Sequence, residues 1–348
     1  MTSGLASLHP AYFALVMATG IVSIACRLTG LSALAAPLLW LNTVFFIGLW
    51  ALTLLRIARF PAEVAGDLLD HGRSVGFFTA VAATCVMGSQ WLIVAGAWGI
   101  AALLWTIGTI LWAAITYTVF AVLTIKSEKP TLAEGIHGGW LVSVVAAQSV
   151  AVLGTQLADG FGVRAPHVLL SCLVMWLGGG MLYMWIISLI FYRYTFFVML
   201  PSDLTPPYWI NMGAVAISTL AGALLVLAAP LAPLLRDVLP FVKGLTLMFW
   251  ATATWWIPML VILGFWRHVY RRFPLKYDPL YWGAVFPLGM YTVATVRLAQ
   301  AIDAPVLLII ARVFVFVALA AWTATLVAWI RQSIGDITSR RRARSAVT

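Results

Sequence analysis

The charges of this chain are confined to short clusters, and the runs between them are apolar and about twenty residues long. That is the length a helix needs to cross the hydrocarbon core of a bilayer. Such runs fall at roughly 10–28, 34–56, 75–95, 98–125, 137–157, 167–192, 207–229, 240–265, 279–301 and 305–330. Ten spanning helices joined by short loops use almost all of the 348 residues and leave no space for a soluble domain. Composition agrees, with 63% apolar and 9% charged residues, against roughly 45–50% and about 25% in soluble domains. A soluble enzyme, a nucleic-acid-binding module and a disordered chain are excluded. The expected fold is all-α and integral to the membrane, one transmembrane domain over 1–348 ending in a basic tail, 331–348. Met1–Leu8 lacks the basic start of a signal peptide, so the first span is expected to be retained.

The net charge of +10 is then a matter of topology. Of the 21 lysines and arginines, 15 lie in loops 2–3, 4–5, 6–7 and 8–9 and in the tail, where Arg340, Arg341, Arg342 and Arg344 cluster. Five lie on the opposite side, and Arg312 lies inside the tenth run. The positive-inside rule puts both termini in the cytoplasm of a cell (plasma or inner) membrane protein, as an even number of spans also requires. The charge is therefore no sign of nucleic acid. Cys26, Cys85 and Cys172 sit in separate apolar runs without CxxC spacing, so buried thiols are expected, with neither a disulfide framework nor a zinc site.

The odd runs begin near 10, 75, 137, 207 and 279, at intervals of 65, 62, 70 and 72 residues. That loose period is one helical hairpin, and it predicts five tandem hairpins pointing the same way. Thirteen of the 17 tryptophans belong to the even runs and their edges, whereas the odd runs carry small and hydroxylated residues and the amides Gln90, Gln148 and Asn211. Aromatic helices suit a lipid-facing ring, and small-residue helices suit close packing or a polar passage. The simplest geometry is an inner ring of five odd helices around a pore, enclosed by an outer ring of five even ones.

All eleven carboxylates fall in loops or at span edges, which argues against cation transport and carboxylate-relayed proton pumping. Polar candidates for lining a passage are Thr19, Gly20, Thr84, Gln148, Asn211 and Ser218, of which Asn211 and Ser218 are seven apart and share a face. Each serves equally as an interhelical hydrogen bond. Arg297 and Arg312 either snorkel or pair locally, Arg297 with Asp303 for instance, or form a cationic lining that attracts anions. Arg297 lies eleven residues beyond Phe286, on the same helical face and roughly 16 Å outward. His137, at the start of the fifth run, is the histidine best placed to touch an anion. No two histidines form the interior pair that a haem cytochrome needs, and HExxH, Walker A and GxSxG patterns are missing. No metal or organic cofactor is expected. The 60–73 loop mixes Val64, Leu68 and Leu69 with Glu63, Asp67 and Asp70, as a short interfacial helix would.

Several stretches are familiar. His9-Pro10-Ala11-Tyr12-Phe13 through Met17-Ala18-Thr19-Gly20-Ile21-Val22-Ser23 resembles the first span of the tellurite-resistance/dicarboxylate transporter family, which includes plant slow anion channels, fungal malate permeases and fungal sulfite exporters. Trp140-Leu141-Val142 with Val145-Ala146-Ala147-Gln148 is similar to its fifth helix, Pro207-Tyr208-Trp209-Ile210-Asn211-Met212-Gly213-Ala214 to its seventh, and Trp282-Gly283-Ala284-Val285-Phe286-Pro287 to its ninth. Ala18 departs from the glycine more usual in the Met-Gly-Thr-Gly run. The resemblance implies ten helices with quasi-five-fold symmetry, a homotrimer with a pore in each protomer, and Phe286 as the pore gate. It also implies transport of small anions, C4-dicarboxylates such as malate or succinate or oxyanions such as tellurite or sulfite. The competing readings are a membrane enzyme or haem-bearing electron carrier, and a non-transporting membrane scaffold.

Overall fold

In the computed structural model the backbone is described over residues 2–345 and the side chains over 4–335, so the four clustered arginines of the tail lie outside the described side chains. Ten helices of fifteen residues or more follow one another: α1 (Ala14–Leu28), α2 (Ser32–Arg59), α3 (Phe78–Ala95), α4 (Trp98–Ile125), α5 (Val142–Leu157), α6 (Ala165–Phe196), α7 (Ile210–Leu227), α8 (Leu239–Phe265), α9 (Trp282–Ala301) and α10 (Leu307–Ser345). Among the described residues, eight stretches are long and apolar enough to cross a membrane. One of them, Gly138–Phe196, holds both α5 and α6, separated at Gly162, whose φ of 54° breaks the helix. α9 is not among the eight. It is the least apolar of the odd helices, and neighbouring helices cover it on every side, so it need not match lipid.

The odd helices close a ring, α1 against α3, α3 against α5, α5 against α7, α7 against α9, and α9 back against α1. Each even helix packs on its hairpin partner and on the next odd helix, forming an outer layer. Burial divides the same way. In α7 and its lead-in, 94% of the most apolar window is buried, against 17% in α10.

Every odd helix is entered through a short 3₁₀ turn: Pro10–Phe13, Ser74–Phe77, Gly138–Leu141, Pro206–Trp209 and Pro279–Tyr281. Three begin with proline, whose fixed φ suits a helix start and whose missing N–H costs nothing there. The side chains of His9, His137 and Asp278 cap their turns by accepting the backbone N–H two residues on. His137 is thus the cap before its span, one residue outside the helix.

A second feature repeats around the outer layer. Asn42 of α2 donates to Gln90 of α3 at 2.7 Å, and Trp105 of α4 to the Val150 carbonyl of α5 at 3.1 Å. Trp176 of α6 donates to the Ser218 carbonyl of α7 at 2.8 Å. Trp250 of α8 donates to Thr295 of α9, and Trp322 of α10 to Thr19 of α1, each at 3.0 Å. Each even helix is thus pinned to the next odd one by at least one side-chain donor, and the last pin closes the circle. The tryptophan bias of the even helices therefore reflects inward anchoring as well as lipid contact.

The 60–73 segment forms the expected short helix, Pro61–Leu69. Its Asp67 is buried and clamped between two arginines, by Arg56 Nη1 at 2.8 Å and Arg73 Nε at 2.5 Å, and Arg56 Nε also donates to the Ala6 carbonyl at 3.1 Å. Removing the shared acid leaves a buried guanidinium without its counter-charge. Asp67→Asn is expected to lower unfolding stability by about 3–5 kcal/mol, measured by denaturation in detergent.

Candidate functional site

The ring encloses two unequal cavities along its axis. At the end where the 3₁₀ turns converge, a vestibule of about 330 Å³ is lined by all five odd helices or their lead-ins. Further along the axis, a void of about 10 Å³ is again lined by all five, barely the size of one water. The lining residues are offset by the same step in every helix. Ala14, Thr79, Val142, Ile210 and Gly283 face the vestibule, and Ile21, Val86, Ser149, Ile217 and Met290, each seven residues later, face the void.

Seven residues are two helical turns, about 10 Å. The residues between them on the same face are those three and four positions on. They are Met17 and Ala18, Ala82 and Ala83, Val145 and Ala146, Gly213 and Ala214, and Phe286 and Pro287, all of them buried. Nine of these ten positions hold small or aliphatic side chains or proline. Phe286, 1% exposed, is the one aromatic ring among these ten positions. Pro287 presses against α7 at Gly213, where an added Cβ would stand 2.7 Å from the proline ring. A glycine is required there by the closeness of the two helices. Arg297 is half-buried one turn beyond Val293 on the same stripe, and its guanidinium donates to Gln300 at 2.9 Å.

The vestibule collects polar groups from distant parts of the chain. His137 Nδ1 accepts from the Gly139 N–H at 3.1 Å, so the neutral ring carries its proton on Nε2. That nitrogen is buried with no partner. His9 is held identically, its Nδ1 accepting from Ala11 at 3.0 Å, and lines the same space. Arg193, from the end of α6, reaches in with 8% exposure, donating to the Tyr208 hydroxyl and lying 3.6 Å from Asp203. Five helix N-termini add partial positive charge to the same end. Asp203 and Glu134 also line it.

The other sequence candidates occupy different places. Thr19 accepts from Trp322, and Gly20 is the spot where a Cβ would meet Val86 and Asn42, so both face the contacts among α1, its flanking helices and α3. Thr84 donates back to the Ala80 carbonyl at 2.7 Å. Gln148 donates to the Trp176 carbonyl at 3.0 Å and lies against Gly179 of α6. Asn211 donates to Tyr194 at 2.9 Å, and Ser218 to the Ala214 carbonyl at 2.8 Å. Arg312 is exposed on the outer face of α10. Of these candidates the structure brings only His137 to the vestibule, with Phe286 and Arg297 farther along the axial stripe. Sequence reasoning missed His9, Arg193 and Asp203 at the vestibule and Ser89, Ser149 and Gln156 at the void. For His9 a signal existed, since it precedes its 3₁₀ turn just as His137 does, 128 residues on.

Residues 7–330 match the model of a family described as voltage-dependent anion channel. An uncharacterized membrane protein of Mycobacterium tuberculosis is 42% identical over 166 residues, which is 48% of this chain and 84% of that protein. An uncharacterized transporter of Methanocaldococcus jannaschii is 23% identical over 305 residues, 85% of this chain and 86% of the relative. A sulfite efflux pump of Arthroderma benhamiae is 25% identical over 340 residues, 91% of this chain and 88% of the relative.

The two vestibule imidazoles carry a pH dependence. Burial, reinforced by Arg73, lowers the pKa of His9 from 6.5 to about 4. Burial, reinforced by Arg193, does the same for His137. Both rings are neutral at pH 7. Between pH 6.5 and 4 the unfolded chain binds more protons than the folded one, so stability falls as pH drops through that window. Thermal unfolding in detergent is expected to show this fall, with a shallower slope in the His9→Gln/His137→Gln double variant.

Proposed function

Because the chain belongs to the voltage-dependent anion channel family, we propose that it carries small anions along the axis of its five-helix ring, with Phe286 as the plug. What supports this reading is the layer between the two cavities, where Phe286 is the one aromatic ring among alanine, glycine, valine, methionine and proline at the matching helix positions. An apolar constriction of this kind gates by excluding water and ions together.

The sign of the charge follows from the vestibule. An anion arriving there meets five helix N-termini, the Nε2–H of His137, the His9 ring and the Arg193 guanidinium. Asp203 pairs with Arg193 and so offers a cation little free charge. Past the plug, Ser89, Ser149 and Gln156 supply neutral hydrogen bonds, and Arg297 stands near the far end. The substrates proposed are oxyanions such as sulfite or tellurite and C4-dicarboxylates such as malate or succinate. The fungal relatives named sulfite efflux pumps support the former. The face carrying the vestibule is assigned to the cytoplasm by its excess of basic residues, in a plasma or inner membrane. The assembly proposed is a homotrimer, and transport needs no metal or organic cofactor.

Flux assays in proteoliposomes with malate, succinate, sulfite, tellurite, nitrate and chloride test this. Phe286→Ala is expected to raise flux of the permeant anions while costing about 3 kcal/mol of stability through the cavity it leaves. Unchanged flux across the panel would remove Phe286 as the gate. In the Phe286→Ala background, His137→Asn keeps the helix cap and loses the imidazole donor. It is expected to raise the half-saturating anion concentration about ten-fold, the loss of one hydrogen bond to a charged group.

A further inference from the structure

Four charged side chains among the described residues are more than nine-tenths buried, and three of them are neutralised. Arg56 and Asp67 pair with each other, and Arg193 lies against Asp203. Arg267 is the fourth, at 9% exposure, and no carboxylate stands within ion-pair distance of it. Its Nε is buried without an acceptor, and its guanidinium stacks 4.5 Å over the Phe273 ring. A buried cation is costly until an anion or an acceptor meets it.

Arg267 lies in a single π-helical turn, Trp266–Tyr270, that continues α8 on the outside of the ring. It lines a cavity of about 240 Å³ together with His268 and Tyr281. A second cavity of about 400 Å³ adjoins it, sharing Trp209, Leu275 and Tyr281, and runs along the alanine-rich seam of α9 and α10 at Ala284, Ala321, Ala324 and Ala328. The first compartment therefore offers an unpaired cation, and the second offers an apolar slot. Phe265, Val269, Tyr270 and Leu275, exposed by 56–74%, border the pair. Arg271, Arg272 and Lys276 are exposed beside them. Bare apolar side chains flanked by bare cations mark the depth where a bilayer meets water.

We infer that this double cavity is a binding site for one anionic phospholipid of the leaflet on the basic face, its phosphate on Arg267 and one acyl chain in the alanine seam. Charge complementarity selects the headgroup, and the head-and-tail shape of the joined cavities selects a lipid over a soluble anion. The site lies outside the axial conduit and is independent of what the conduit carries.

The test is lipid retention by native mass spectrometry, with thermal stability in detergent containing phosphatidylglycerol, phosphatidylcholine or inorganic phosphate alone. Expected are retained phosphatidylglycerol and stabilisation by it above phosphatidylcholine, with no effect of inorganic phosphate. In Arg267→Gln that preference is expected to fall about five-fold, the factor for one basic group at an anionic surface, while Arg267→Lys keeps most of it. Ala324→Leu, which fills the seam and leaves the arginine, is expected to lower retention of both lipids. Equal stabilisation by the two lipids, or an Arg267→Gln variant with unchanged preference, overturns the proposal. So does stabilisation by inorganic phosphate, which identifies a soluble-anion site. An altered oligomer distribution in Arg267→Gln with unchanged lipid content also overturns it, since the groove is then a contact between copies.

Discussion

A ring of five helices in a membrane has no apolar core of its own to collapse around, since lipid is as apolar as the side chains. What holds it is directional contact: at least one side-chain hydrogen bond from each even helix to the next odd helix, with Trp322 to Thr19 joining the last helix to the first. In hydrocarbon an indole N–H has no water to turn to, so each pin fixes the register of its seam. Small residues do the rest. Gly88 lies against Leu153 and Leu104, Gly154 against Cys172 and Trp105, and Gly213 against Pro287, each where a Cβ would collide. Close approach of the ring helices leaves only a void of about 10 Å³ along this part of the axis.

The shared orientation of the hairpins has an electrostatic consequence. All five odd helices start at the same end, so their N-terminal partial charges add instead of cancelling. Those dipoles are the part of the vestibule's positive character that remains once Arg193 is paired with Asp203 and both imidazoles are neutral at pH 7. Neutral donors with a background of helix dipoles hold an anion without trapping it, which conduction requires. The carboxylates at this end, Asp203 and Glu134, lie in the connections that precede α7 and α5, Glu134 in the short helix Leu132–Gly135.

The helices were legible because lipid imposes length and polarity on them. The predicted run 98–125 coincides with α4, and the other spans differ from the structure by a few residues at their ends, apart from α10, which continues to Ser345. Which face of an odd helix looks at the axis was not legible. These helices are buried on all sides, so apolar residues ring them completely and no stripe marks the interior. Thr19, Gly20 and Gln148 consequently read as pore candidates although their partners are neighbouring helices. Arg193 read as a topological charge because it falls just after the sixth run, 167–192, in loop 6–7, and only the folded chain shows it reaching inward to Tyr208. The five 3₁₀ lead-ins, at 10, 74, 138, 206 and 279, mark the same repeat that hydropathy does.

How the proposed plug would move is constrained by the packing of α9. Pro287 is wedged against α7 at Gly213, and on the other side Gly289 meets Ile21 and the Val22 backbone of α1. Both contacts are made near backbone level, within three residues of Phe286, and neither neighbour is a flexible side chain that can yield. A sliding or tilting α9 would drive Pro287 into α7 or Gly289 into α1, at the overpacking cost of about 1–3 kcal/mol for each. Rotation of the phenyl ring about its own χ angles meets no such barrier from the backbone. The residues that share its layer, Ala18, Ala82, Ala83, Ala146 and Ala214, carry the smallest side chains that keep a Cβ, and in the proposed reading they set the space in which the ring turns. In the proposed reading, gating is therefore a side-chain event inside a rigid ring, and the residues that set its ease are the alanines around the plug.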